Sequence, residues 1–241
     1  LRHSAGYRSQ RVVLTKTQPT KNTKIGVRKA PAPEGRPGFI RIDSVHQGDL
    51  DGVKGLYHIN AVDCVTQWQV VASVQAISEA HLLSVIEEML AQFPFEILGF
   101  HADNGSEYVN HKVARLLEKL RIEFTRSRPR HSNDNGLAET KNGAVVRKEF
   151  GYEHIHRRHA ARFDTYCREY LNPFLNFHRP CLFATELADP KKPGRIKRVY
   201  RPRDAMTPLD KLASLPNAAS FLRPGVTLLE LQQLARALTD V

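Results

Sequence analysis

Three acids in this 241-residue chain, Asp43, Asp103 and Glu139, have the type and spacing that metal-dependent phosphoryl transfer requires. Asp43 closes the apolar run Phe39-Ile40-Arg41-Ile42, Asp103 closes a second run ending Leu98-Gly99-Phe100, and 35 residues separate Asp103 from Glu139. Hard carboxylate oxygens suit Mg²⁺ or Mn²⁺, and two such ions about 3.5 to 4 Å apart clamp the attacking and leaving oxygens of a phosphate ester. A lone acid at a strand end is more often a solvated or turn residue, and Asp103 before Asn104-Gly105 taken singly reads as an Asx turn. Three acids in matching settings weigh against coincidence. Asp63, at another strand end, is the internal competitor of Asp43.

Positioning these acids takes strands that pair and a helix that crosses their ends. Apolar runs and turn residues predict strands at 39–44, 56–63, 67–74, 96–102 and 122–126. Ser78 starts a helix whose Leu82, Val85, Ile86, Met89, Leu90 and Phe93 recur at helical spacing, and Asn110 caps one with Val113, Leu116, Leu117 and Leu120 on one side. Asn133-Asp134-Asn135-Gly136 is a turn and helix-start signal before a helical run over 137–150, which carries Glu139. The order is βββαβαβα. Polar, Pro-interrupted 127–135 is expected to be an irregular, mobile loop.

Asp103-Asn104-Gly105-Ser106-Glu107 and Asn133-Asp134-Asn135-Gly136 to Glu139-Thr140-Lys141-Asn142 resemble the motifs of the retroviral integrase and bacterial insertion-sequence transposase superfamily, named for its Asp, Asp, 35, Glu spacing. The resemblance covers roughly 38–180 and implies an α/β, ribonuclease H-like fold: a mixed five-stranded sheet flanked by helices. It assigns Asp43, Asp103 and Glu139 as catalytic metal ligands. It also favours Asp43, on the first strand, over Asp63. The basic residues that viral members carry one and two turns after the glutamate are here Gly143 and Val146, so the viral DNA-end contacts do not transfer. Asn176-Phe177-His178-Arg179-Pro180 resembles the end of bacterial transposase cores.

A formal net charge of +11 points to a polyanionic partner, double-stranded DNA. Residues 1–37 hold nine Lys and Arg against Glu34 and read as a basic arm and Pro-rich linker. The tract 191–203 is a second basic strip; its Lys191, Lys192, Arg195, Lys197 and Arg198, with loop residues Arg128 and Arg130, are candidate DNA contacts. Asn142, three residues after Glu139 and on the same helix face, joins them as the nearest neighbour of the acids. Tyr166, Cys167, Tyr170, Leu171, Phe174 and Leu175 form a helical stripe expected in the core, with Pro173 kinking or restarting that helix. Capping-box signals start short helices at Thr207 and Thr227, the last one amphipathic through Leu228, Leu231, Leu234 or Ala235, and Leu238.

Three scattered cysteines indicate neither disulfides nor a zinc pair, and His101, His131 and His178 lack partners at zinc-ligand spacing. No apolar run approaches membrane-spanning length, so a cytoplasmic, nucleoid-associated protein is expected. Leu1 in place of Met reads as a fragment, which leaves room for an upstream DNA-binding module. The expectation is a basic arm (1–37), a catalytic core (38–180) and a basic strip with a helical extension (181–241). Its activity would be DNA cleavage and 3′-hydroxyl strand transfer by a homo-oligomer on DNA, with two bound Mg²⁺ or Mn²⁺ ions. The alternatives are a nuclease of the same fold that cuts without joining, and an inactive or domesticated DNA-binding protein.

Overall fold

The computed structural model describes residues 25–103, 108–188, 194 and 196–237. In chain order these hold β1 (Val27–Arg28), β2 (Phe39–His46), the hairpin β3 (Asp49–Leu50) and β4 (Val53–Lys54), β5 (Tyr57–Asp63), β6 (Gln69–Val74), α1 (Glu79–Leu90), β7 (Gly99–Ala102), α2 (His111–Lys119) and β8 (Glu123–Arg126). One mixed sheet runs β1-β8-β7-β2-β5-β6. Strand β5 runs antiparallel to both its neighbours, β2 and β6, whereas β7, β8 and β1 extend the other side of β2 in parallel. This is the expected ribonuclease H-like α/β architecture. It gains a sixth strand that composition hides: Val27 and Arg28, inside the segment read as an arm, pair with Thr125 and Arg126. Two residues carry no periodicity, so only the partner strand reveals them.

The two faces of the sheet differ in chemistry. On one, Ile40, Ile42, Ile59, Val70 and Phe100 pack beneath Leu82, Ile86 and Met89 of α1 and Val113 and Leu117 of α2. At roughly 1.5 to 3 kcal/mol for each fully buried large apolar side chain, this layer is the main source of cohesion. Asn110 caps α2 as expected, its side chain accepting from the Val113 N–H at 2.9 Å. The extension packs on the same core through α6 (Pro208–Ala213) and α7 (Leu228–Ala237), named after the helices of the other face. Leu209 and Leu212 are buried, and Leu228, Leu231 and Ala235 lean on the core while Leu234 is exposed.

The other face carries a smaller apolar cluster of Val45, Val71, Val145, Val146, Cys167, Leu171 and Leu175. Over it run α3 (Gly136–Lys141), a wide π turn at Asn142–Val146, α4 (Arg147–Phe150) and α5 (Ala160–Tyr166), which continues through π turns at Cys167–Leu171 and Phe174–His178. The predicted helix over 137–150 is thus present but widened in its middle. Pro173 keeps helical dihedrals (φ −56°, ψ −49°) between two π turns; the i→i+5 pattern accommodates the missing N–H. The expected core stripe divides: Cys167, Leu171 and Leu175 are buried, whereas Tyr166, Tyr170 and Phe174 are exposed. Residues at i and i+4 line one face, but their i−1 neighbours lie about 100° round the helix and miss the sheet.

Edge strand β6 is closed by this helix. Asn172 accepts from the Val71 N–H at 2.8 Å and donates to its carbonyl at 3.1 Å. Asn176 does the same for Gln69, at 2.8 and 2.7 Å, and Asp164 accepts from the Ser73 N–H at 3.0 Å. These side chains replace the missing neighbouring strand and block edge-to-edge pairing. At the start of β2, Gly38 has φ +107°, and a Cβ there would lie 2.3 Å from the Glu96 carbonyl oxygen, so only glycine fits.

Candidate active site

Parallel pairing of β2 with β7 places Ile42 opposite Ala102, so the next residues, Asp43 and Asp103, follow from adjacent strand positions on the same side of the sheet. Asp43 is partly buried and Asp103 exposed. Glu139 is exposed on α3, which lies over β2 and β5. Two bonds pin that helix: Asn135 Nδ2 donates to the Ile42 carbonyl at 3.1 Å, and Asn60 Nδ2 donates to the Ala138 carbonyl at 3.2 Å. The backbone beside Asp43 and the backbone beside Glu139 are thereby tied to the same two strands.

Asp43 is held by a directed chain of amides. Its Oδ1 accepts from the Ser44 N–H at 2.8 Å, and its Oδ2 accepts from Asn142 Nδ2 at 2.8 Å. Asn142 Oδ1 accepts from Asn60 Nδ2 at 2.9 Å, and Asn60 Oδ1 accepts from Gln69 Nε2 at 2.8 Å. Both ends fix the sense of this chain, because a backbone carbonyl and a carboxylate can only accept. Asn60 must turn its NH₂ toward Ala138 and Asn142, and Asn142 must turn its own toward Asp43. Asn60 is fully buried and Gln69 nearly so. Sequence reasoning identified Asn142 and missed Asn60 and Gln69. The available signal was a carboxamide inside the otherwise apolar run Ile59-Asn60-Ala61-Val62, since a buried amide needs partners.

The loop 127–135 is more ordered than its composition suggests. Arg128 binds Asp134 through its backbone N–H at 2.9 Å, Nε at 2.9 Å and Nη2 at 2.8 Å, and Ser132–Asp134 forms a 3-10 turn. Asp134 is 4% exposed, and the Arg128 guanidinium holds its carboxyl far below the usual carboxylate range. Arg128, one of the candidate DNA contacts, is thus also the clasp of the loop. Arg130 is exposed with φ +63° at the loop tip. Beneath the loop His101 is buried, with Nδ1 2.9 Å from Thr125 Oγ1 and Nε2 3.3 Å from Ser127 Oγ.

Asp63 has a structural role. Fully buried, it accepts from the N–H groups of Gly38 (2.8 Å), Val65 (3.0 Å) and Thr66 (2.7 Å) and from the Thr66 hydroxyl (2.8 Å). It caps the β5–β6 turn and pairs in register with Ile40, three positions along β2 from Asp43. In the basic strip, Lys197 and Arg198 are exposed on β10 (Ile196–Tyr200), which pairs antiparallel with β9 (Ala184–Ala188). Arg198 Nε lies 3.1 Å from Glu186. Lys191, Lys192 and Arg195, the 1–24 portion of the arm, and Glu107 lie outside the described residues.

Among the described residues no three His, Cys, Asp or Glu side chains are grouped closely enough to hold a metal ion. The donor set nevertheless fits Mg²⁺ or Mn²⁺ in kind, and the backbones of Asp43 and Asp103 are strand neighbours. The exposed Glu139 side chain would have to close toward them, and an ion at Asp43 Oδ2 would compete with Asn142.

Residues 36–132, which include Asp43 and Asp103 and stop short of Glu139, match the family model described as integrase core domain. An uncharacterized protein y4rM from Sinorhizobium fredii is 30% identical over 117 residues, 48% of this chain; the match spans about a third (33%) of that protein. Among solved structures, a chain of the simian T-cell lymphotropic virus intasome in complex with PP2A regulatory subunit B56 gamma aligns at 15% identity and TM-score 0.47, covering 74% of this chain and 59% of that one. The catalytic core domain of BIV integrase aligns at 15% identity and TM-score 0.42, covering 59% of this chain and 85% of that one.

Proposed function

We propose, from the match of residues 36–132 to the integrase core domain model, that the protein is a metal-dependent DNA transposase or integrase that cleaves a DNA strand and joins the freed 3′-hydroxyl to a target strand. The observation that carries the reading is the adjacency of Asp43 and Asp103 on paired parallel strands, under a helix bearing Glu139 that is pinned to the same strands. These three carboxylates would hold the divalent ions. When bound, such ions polarise the scissile phosphate and lower the pKa of the attacking water or hydroxyl. Asn142 orients Asp43, and the clasped loop sets the approach of the DNA. In each step the attacking oxygen forms a bond to phosphorus as the P–O3′ bond opposite breaks, first with water and then with the 3′-hydroxyl as nucleophile. Double-stranded DNA is the substrate, Arg130, Lys197 and Arg198 are candidate backbone contacts, and the working form is a homo-oligomer on DNA.

The test is substitution of each acid by its amide, which keeps shape and removes a charge. Asp43→Asn, Asp103→Asn and Glu139→Gln are each expected to abolish Mg²⁺- or Mn²⁺-dependent nicking and joining while duplex binding persists. Wild-type strand transfer by Glu139→Gln would remove Glu139 from the triad, and duplex binding by the wild-type chain without any metal-dependent nicking would leave the DNA-binding reading in its place. Nicking without joined products would mark a nuclease of the same fold.

A further inference from the structure

Past the end of α4 the chain makes a basic, histidine-rich turn. Residues 154–162 read His154-Ile155-His156-Arg157-Arg158-His159-Ala160-Ala161-Arg162: three histidines, three arginines and no acid. The turn is preformed. The Leu56 N–H donates to the Ile155 carbonyl at 2.9 Å, His156 bridges Gly55, His154 Nε2 lies 3.2 Å from the Val53 carbonyl oxygen, and Ala160 is buried. His156 Nδ1 accepts from the Arg158 N–H at 3.0 Å and His159 Nε2 accepts from Arg158 Nε at 3.1 Å. Successive imidazoles are 6.3 and 6.4 Å apart between centroids. Arg157, Arg158 and Arg162 are exposed and, among the described residues, form no ion pair with an acid.

We infer that this turn is a second contact for the backbone of duplex DNA, separate from the carboxylate site and the basic strip, at which histidine protonation tightens the grip. The inference rests on the DNA-processing reading above. Its place supports it: the turn is anchored beside the residues that follow β2, and His46 at the end of that strand lies three positions after Asp43, about 10 Å. From Glu139 to Phe150 the helix adds only about 16 Å. The turn therefore lies within one helical repeat of a duplex, about 34 Å, engaged at the carboxylates. Like charges crowded without acids repel one another until phosphates arrive, so binding and proton uptake are coupled.

Every charged group around the histidines enters this balance. Arg157, Arg158 and Arg162 belong to the turn, Lys54, Asp49 and Asp51 to the β3–β4 hairpin, Arg147, Lys148 and Glu149 to α4, and Glu153 and Asp164 flank the segment. Partial burial and then the neighbouring Arg158, His154, His159 and Arg157 charges hold His156 below its ordinary value in the free protein. Asp164 is engaged by the Ser73 N–H and Asp49 faces His46 at 3.4 Å, which limits how far they neutralise the turn.

The experiment is fluorescence anisotropy of a labelled duplex of arbitrary sequence with the full chain, titrated with salt at about pH 6 and about pH 8, either side of the ordinary histidine pKa near 6.5. Replacing Arg157, Arg158 and Arg162 together by Ala should weaken binding and lower the slope of log affinity against log salt by about 0.9 for each phosphate no longer neutralised, up to about 2.7; the triple Lys variant should restore it. His154→Gln, His156→Asn and His159→Gln together should flatten the pH dependence while leaving affinity at pH 8 near wild type. A salt slope unchanged in the Ala variant overturns the inference while the DNA reading stands. A wild-type chain that binds no duplex at either pH overturns both. Tighter binding of an acidic polypeptide than of DNA to this turn would overturn the assigned partner.

Discussion

Asn60 and Gln69 stand one and two hydrogen bonds further along the amide chain from Asn142, and this ordering predicts different consequences when each is replaced. Gln69→Leu removes the donor to Asn60 Oδ1, now 2.8 Å away, leaving a buried acceptor unpaired at a cost of about 1 to 3 kcal/mol in stability. Asn60 itself stays oriented, because its NH₂ is fixed by the Ala138 carbonyl at 3.2 Å, so Asn142 continues to face Asp43. Asn60→Leu is more severe. It strands the buried Gln69 NH₂ at a cost of about 1 to 3 kcal/mol, leaves the Ala138 carbonyl with only its helical partner, the Asn142 N–H, and frees the Asn142 side chain to rotate. A hydrogen bond to a charged group contributes about 1.5 to 3 kcal/mol. If that amount is expressed wholly in the transition state, nicking falls about 10- to 100-fold, since about 1.36 kcal/mol is tenfold in rate. Urea unfolding measures the first quantity, and single-turnover nicking of a duplex in Mg²⁺, on protein shown to be folded, measures the second. Wild-type nicking by Asn60→Leu alongside an inactive Asp43→Asn would refute the positioning role. Equal effects of Gln69→Leu and Asn60→Leu would refute the claim that the Ala138 carbonyl sets the orientation.

Acid should destabilise the fold through two buried imidazoles. Burial, with Arg147 adding to it, takes His58 down to about 3, and burial with Arg41 takes His101 down to about 4. Both folded values lie below the unfolded value, so the stability is present above about pH 6.5 and is lost as pH falls toward the folded values. At pH 5 the unfolded chain has gained most of both protons and the folded chain few, a loss of about 2 kcal/mol per histidine, visible as a lower urea midpoint than at pH 7; an unchanged midpoint would mean that neither ring is kept neutral. Asp134→Asn should release the loop clasp and speed amide exchange over 128–135 without shifting exchange in β5 or β6, and unchanged loop protection would show the ion pair to be incidental.

Everything written in local pattern could be read directly from the chain. Apolar runs placed β2, β5, β6, β7 and β8, helical spacing placed α1 and α2, and the positions of Asp43 and Asp103 after two such runs put them on strand ends. Periods of 2 and 3.6 residues are visible in a window of about a dozen residues, because each residue's face depends only on its own dihedrals. Whether Tyr166 or Cys167 of one stripe enters the core was not written there, since it depends on how the helix is rotated against the sheet.

How the acids are held was settled only by tertiary packing. Asn142 meets Asp43 across 99 positions and Asn60 across 82, and the amides that close β6 reach across 101 and 107. Arg128, a free loop cation by composition, is instead taken by Asp134. A carboxamide or a guanidinium in a sequence is only an unsatisfied set of donors and acceptors. Its partner is whichever group the packing of the apolar faces brings within about 3 Å once water is excluded, and no local pattern records that distance.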